Sequence, residues 1–295
     1  MIIKTKLHVN KTLKIIFQVF LILLVAIILT IILKVFCFAS FKVPSGSMEP
    51  TLQSGDYIMV NKAVYGPRVF KDWRFWKSGN WEMKRLKGTS TIKRKDVLVF
   101  NFPVSDNDWS RIKMDFNLHL VKRCIGMPGD WLEIKNGFYY VKGCSDTLGI
   151  YHNQLDLSTR LDSTIDKGIF NCLHYDSVHQ WTIKNFGPLY IPKANAKIRI
   201  GWENIELYRK IIVYETGKPI DVKRNMVLLG GKPISAYVFK QNYYFMAGDW
   251  VMDSQDSRYW GLLPEDHIIG KVAFIWKSKD ENTGNYRWKR FFKGF

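Results

Sequence analysis

Residues Ile15 to Leu33 read IIFQVFLILLVAIILTIIL, about 19 positions without a charge. At ~1.5 Å of rise per residue, a helix of this length reaches roughly 28 Å, close to the ~30 Å hydrocarbon core of a bilayer. Lys4, Lys6, Lys11 and Lys14 precede the run, Lys34 closes it, and no acidic residue lies among them. Lysine-rich flanks stay on the cytoplasmic side, so the pattern predicts a cytoplasmic tail over 1–14 and one transmembrane helix over 15–36. A cleaved signal peptide would need a shorter apolar core, roughly 7 to 15 residues, with a small-residue site after it. Phe38-Ala39-Ser40 is a poor site of that kind. The helix is therefore expected to remain as an anchor, with everything after Lys34 outside; no second run of that length follows.

The chain has 295 residues, with 44 Lys and Arg against 26 Asp and Glu, a net charge of +18. Such an excess points to an acidic partner, either nucleic acid or an anionic membrane surface. A composition of 47% hydrophobic and 15% aromatic residues supplies a buried core, which excludes a disordered or fibrous chain. Four cysteines are too few for a disulfide-built scaffold of this size. Beyond the anchor, β-branched and aromatic runs separated by Gly, Pro and Asp predict strands at Tyr57 to Val60, Val97 to Phe100, Trp131 to Ile134, Phe138 to Val141, Ile211 to Tyr214, Tyr243 to Met246 and Lys271 to Trp276. No long stretch shows sustained helical periodicity. A more polar, loop-rich segment separates two motif-dense regions and reads as an inserted subdomain.

About ten residues past the apolar run stands Phe41-Lys42-Val43-Pro44-Ser45-Gly46-Ser47-Met48-Glu49-Pro50-Thr51-Leu52. Gly46 lets the chain turn so that a serine hydroxyl and backbone N–H groups can face one point, the pairing that acyl transfer needs. The same residues also suit a plain turn leaving the membrane. A serine needs a base, and none of His8, His119, His152, His174, His179 and His267 lies in a recognisable triad motif. The other solution is a lysine kept neutral by burial. Leu118 to Asp130, LHLVKRCIGMPGD, offers Lys122; in an extended strand Lys122 and Arg123 point to opposite faces, so one can be buried while the other stays wet. Taken in isolation, Lys-Arg is better read as an ordinary edge-strand basic pair. In Gly248 to Gly261, GDWVMDSQDSRYWG, Asp256 and Arg258 can form a short-range ion pair that fixes the loop, with Ser254 and Ser257 as hydrogen-bonding groups. Alone it could be a surface turn.

In their order behind an amino-terminal span, PSGSMEPTL, LVKRCIGMPGD and GDWVMDSQDSRYWG closely resemble segments of the bacterial type I signal peptidases (leader peptidases), and Lys93 to Phe100, KRKDVLVF, resembles a further box. The resemblance covers the anchor and roughly half of the exported chain. It implies a mostly β fold: a signal-peptidase-like catalytic domain over 37–143 and 243–295, with an inserted α+β or β subdomain over 144–242, behind one transmembrane helix. It implies a membrane-anchored serine endopeptidase of the bacterial cytoplasmic membrane, its catalytic domain on the outer face, cutting signal peptides from exported preproteins after Ala-x-Ala-like sequences. Ser47 matches the nucleophile and Lys122 the general base. Ser45 matches the hydroxyl that completes the oxyanion hole with the Ser47 N–H, and Ser254 the residue that orients the lysine. Asp256 and Arg258 match a supporting ion pair. Phe41, Val43, Met48, Leu52 and Val121 fall at positions lining shallow apolar pockets. No metal or other cofactor is implied.

Two positions depart from the family pattern: Trp250 replaces an asparagine and Lys95 a glycine. Trp250 motivates a second reading, a catalytically silent member that binds exported peptides or the membrane surface. A third, a penicillin-binding or β-lactamase-type enzyme, has only Ser90-Thr91-Ile92-Lys93 behind it and lacks the accompanying Ser-Asp-Asn and Lys-Thr-Gly elements. Residues 68 to 95 interleave ten basic residues with Phe70, Trp73, Phe75, Trp76 and Trp81, and residues 286 to 295 repeat the combination. Both suit the headgroup layer of an anionic bilayer; a solvated basic loop is the plainer alternative, and an extracytoplasmic address argues against nucleic acid. Cys144 and Cys172 fall in the insert, where spacing alone leaves their pairing open.

Overall fold

The computed structural model describes residues 2–71, 82–106, 108–174 and 176–295. A helix over Ile2–Ile32 runs into a wider helical turn at Leu33–Cys37. Within it Leu13–Cys37 is, among the described residues, the one stretch long and apolar enough to cross a membrane, with a mean hydropathy of 3.2 and none of it buried against protein. The chain then passes directly into strand β1 (Phe38–Lys42). Lys62 Nζ donates to the carbonyls of Lys34 and Val35, capping the helix end onto the sheet.

The strands that follow are β2 (Asp56–Asn61), β3 (Arg68–Phe70), β4 (Met83–Arg85), β5 (Val97–Phe102), β6 (Asp115–Gly126), β7 (Trp131–Lys135) and β8 (Phe138–Val141). Next come β9 (Phe186–Tyr190), β10 (Lys197–Arg199), β11 (Ile220–Lys223), β12 (Met226–Leu229), β13 (Lys232–Ile234), β14 (Ala236–Val238), β15 (Tyr243–Ala247), β16 (Leu263–Pro264) and β17 (Ile268–Ser278). The main sheet runs β1-β2-β17-β5-β6-β15-β16. Its centre is β5, VLVFNF, buried at every position because both faces are covered. β2 alternates, with Asp56, Ile58 and Val60 inward.

A second sheet, β8-β7-β9, joins residues on either side of the 144 boundary, since β9 pairs with β7. The β7–β8 hairpin turns on Asn136-Gly137, both at positive φ (48° and 84°), the two-residue turn whose twist suits antiparallel strands. One apolar cluster, with Leu132, Phe186 and Ile212, fills this side of the molecule. Another, of Val43, Met48, Leu52, Ile58, Val99 and Val272, lies beneath the PSGSMEPTL segment.

One expected strand is a helix. Ile211 to Tyr214 lies inside Ile205–Thr216, whose buried Ile205, Tyr208, Ile211 and Ile212 form one face at helical spacing. Packing of that face outweighs the strand preference of Ile-Ile-Val, and Gly217 ends the helix in the left-handed conformation (φ 66°). A helix at Tyr151–Thr159 likewise lacks a strong periodic signal. Of the basic-aromatic stretch, Trp73, Phe75, Trp76 and Trp81 lie outside the described residues. All four cysteines are free thiols, Cys172 buried and Cys144 half-buried.

Candidate active site

The loop after β1 is held at both ends. Val43 N–H donates to Asp56 O (2.8 Å) and Gly55 N–H to Val43 O (2.9 Å), extending the β1–β2 ladder. Glu49 N–H closes a turn onto Gly46 O (2.8 Å), and Leu52 N–H reaches Met48 O (2.9 Å). This turn carries Ser47 while Met48 and Leu52, with no exposed surface, sink into the core below. Asp56 at its far side is fully buried and accepts from Arg290 near the carboxyl end (2.5 Å).

Lys122 comes from β6, opposite the fully buried Leu98 of β5. Its side chain is 3% exposed, and Nζ lies 2.6 Å from Ser47 Oγ. Burial lowers its pKa from an ordinary 10.5 to about 8; Asp256 and Asp249 oppose the effect and Arg258 adds to it. The flanking Arg123 points the other way but is not wet: it forms a two-pronged pair with the buried Asp249 (2.7 Å each) and donates to Thr51 Oγ1.

Ser45 Oγ is 3.4 Å from Ser47 Oγ. Asp256 and Arg258, at most 1% exposed, pair side-on (2.8 Å twice). Arg258 also donates to Val251 O and Asp256 accepts from Gly248 N–H, so one ion pair holds both ends of the 248–258 loop. Although burial opposes ionisation, Arg258 and these hydrogen bonds keep the Asp256 carboxyl below its usual range.

Ser254 Oγ is buried beside them. Among the described residues it has no hydrogen-bond partner, Lys122 included, although it lies near enough to Asp256 to favour that carboxylate's charge. The expected bond from Ser254 to the lysine is therefore absent in this arrangement, where the amine is engaged by Ser47. Ser254 instead lines a mainly apolar cavity of about 470 Å³ with Trp109, Ile169, His174, Met252 and Tyr259. Gly248 has no room for a side chain: a Cβ there would overlap Ser254 and come within 2.6 Å of Ser47 O.

Of the expected pocket residues, Val43, Met48 and Leu52 belong to the closed core, so only Phe41 and Val121 retain surface, with the Phe41 ring 5.0 Å from that of His119. Trp250 turns its indole outward, 41% exposed, while its backbone N–H donates to Ser47 O (3.1 Å). Lys95 takes the left-handed conformation (φ 72°) that favours glycine, and its carbonyl accepts from Arg123. The sequence reading missed the Arg123–Asp249 pair and Asn153, whose amide reaches both site loops. Among the described residues no group of three His, Cys, Asp or Glu side chains could hold a metal ion.

A family described as signal peptidase, peptidase S26, matches residues 16–177 and 202–277. The chain is 27% identical to Signal peptidase I of Buchnera aphidicola subsp. Acyrthosiphon pisum, covering 96% of this chain and 80% of the relative. It is 26% identical to Signal peptidase I of Pseudomonas fluorescens (86% and 69% covered). It is 28% identical to that of Aquifex aeolicus (87% and 82% covered).

Proposed function

The chain belongs to the signal peptidase family, peptidase S26, and we propose that its serine endopeptidase activity is run by Ser47 as nucleophile and Lys122 as general base. The observation that carries this is the buried contact of 2.6 Å between a hydroxyl and an amine whose pKa lies at about 8. A neutral amine at that distance accepts the hydroxyl proton as Oγ attacks the scissile carbonyl. Ser45 Oγ and the Ser47 N–H bind the oxyanion. The resulting ammonium hands its proton to the departing amine, leaving an acyl-serine that the same base resolves with water. Ser254 orients the lysine once substrate draws Ser47 forward, and the Asp256–Arg258 pair keeps the loop in place.

The substrates are signal peptides of exported preproteins, held along the open edge of β1 and the amino-terminal part of β6, which β15 leaves unpaired. Phe41 and Val121 line the shallow pockets, over a floor of Val43, Met48 and Leu52, and so select small side chains at the cut. The apolar helix is a membrane anchor with its lysine-rich end in the cytoplasm of a bacterium, placing the catalytic part on the outer face of the inner membrane. Segment 144–242 is an inserted subdomain. The exposed Trp288 and Phe292, with Lys289 and Lys293, rest on anionic headgroups.

The test is to incubate the full chain in mild detergent with a preprotein and identify the new amino terminus by mass spectrometry. A single cut after an Ala-x-Ala-like sequence is expected; cutting at large residues, or none, overturns the assignment.

A further inference from the structure

Helix Tyr151–Thr159 buries Asn153, Gln154 and Leu157. Polar side chains on a buried face need partners. Gln154 has a structural one: its amide holds Leu148 O and the Tyr139 N–H of the neighbouring hairpin. Asn153 does something else. Its single amide nitrogen donates to Glu49 O (3.1 Å) and to Asp249 O (2.7 Å), carbonyls that belong to two different loops of the candidate active site.

Glu49 closes the turn around Ser47, and Asp249 holds Arg123, the neighbour of Lys122. Trp250 N–H, next in the chain, donates to Ser47 O. The links form a ring: Ser47 to Glu49 through the turn, Glu49 to Asn153 to Asp249 through the amide, then Trp250 back to Ser47. Asn153 is 8% exposed, so water cannot readily replace it. Without the amide, the buried Asp249 carbonyl and the half-buried Glu49 carbonyl lose the donor they share. The loop carrying Ser47 then shifts against the strand carrying Lys122.

We propose that Asn153 is a positioning residue for the nucleophile, a point through which the 144–242 segment sets the Ser47–Lys122 distance. This rests on the assignment of Ser47 and Lys122 above. An apolar side chain would fill the same space, so packing alone does not call for an asparagine. A displacement of about 1 Å at a reacting group can cost about a hundredfold in rate.

The experiment measures kcat, KM, the pH–rate profile and Tm for the full chain in detergent with a preprotein substrate, comparing wild type, Asn153→Leu, Asn153→Gln and Ser47→Ala. Asn153→Leu keeps the volume and removes the donor; it should lower kcat about a hundredfold at nearly unchanged KM. The midpoint of the pH profile should stay in place, because Lys122 remains buried. Asn153→Gln keeps the donor one methylene too far and should fall between Leu and wild type in kcat. Wild-type kcat in Asn153→Leu beside an inactive Ser47→Ala overturns the proposal alone, as does a lowered Tm with kcat unchanged, or a loss carried wholly by KM. Should Asn153→Leu fail to fold, Asn153→Gln decides: reduced kcat at wild-type Tm supports the proposal and wild-type kcat overturns it. A fully active Ser47→Ala overturns the nucleophile assignment and takes the proposal with it.

Discussion

Replacing Lys122 by Met should make the protein more stable while destroying its activity. Met is similar in length and apolar, and it enters a site whose walls include the fully buried Leu98. The descent of the lysine pKa from 10.5 to about 8 means that below pH 8 folding burdens the chain with a buried ammonium. That burden is worth about 3 kcal/mol. The lost bond to Ser47 takes back about 1 kcal/mol, leaving a net gain of about 2 kcal/mol at pH 6.5. The sign follows from proton binding: between pH 8 and 10.5 the unfolded chain holds a proton that the folded chain has released, so wild-type stability rises with pH in that window. The advantage of Lys122→Met should therefore fade, the two proteins agreeing within about 1 kcal/mol by pH 10. Urea unfolding of the full chain in mild detergent, followed by tryptophan fluorescence at both pH values, measures the difference. A variant less stable than wild type at pH 6.5, or an advantage that does not change with pH, would show that Lys122 is not a desolvated cation.

The same lysine should govern the kinetics: kcat/KM should rise with pH through about 8 and level off above it, since the base acts only when neutral, and a flat profile from pH 6 to 9 would contradict this. Gly248→Ala should lower kcat by about tenfold or more, because its methyl group drives against Ser47 O and Ser254; wild-type kcat in the folded variant would show that the two loops separate freely. A chain beginning at Phe38 keeps the whole main sheet and should bind vesicles containing anionic lipid in a salt-sensitive way. Trp288→Ser with Phe292→Ser, at positions 69% and 76% exposed, should remove the part of that binding which survives high salt, and unchanged binding would place these rings away from the membrane.

The apolar helix and six of the seven expected strands were legible because their signals are local. Uncharged length marks the helix, and β-branched runs between turn residues mark Val97 to Phe100 and Tyr243 to Met246, which lie within β5 and β15. Ile211 to Tyr214 misled for the same reason: four residues viewed locally favour a strand, and the helical face emerges only when Ile205 and Tyr208 are counted with them. At the site, Ser47, Lys122 and the short-range Asp256–Arg258 pair stand out by their motifs, but the long-range contacts do not. Asn153 meets Asp249 across 96 residues and Glu49 across 104, and Arg123 meets Asp249 across 126. No spacing rule reaches that far. The left-handed conformation of Lys95 has one signal, the glycine that the family pattern puts at that position, because nothing about a lysine itself announces a positive φ.

The most direct measurement is the rate at which purified Ser47→Ala protein cleaves a preprotein, set against wild type at pH 8.5 with equal amounts of folded enzyme. With Ser47 as the nucleophile the variant should lose at least about 10⁴-fold in kcat while its Tm stays at the wild-type value. Cleavage by Ser47→Ala within tenfold of wild type would mean that another group attacks the peptide bond, and that the contact between Ser47 and Lys122 is packing rather than chemistry.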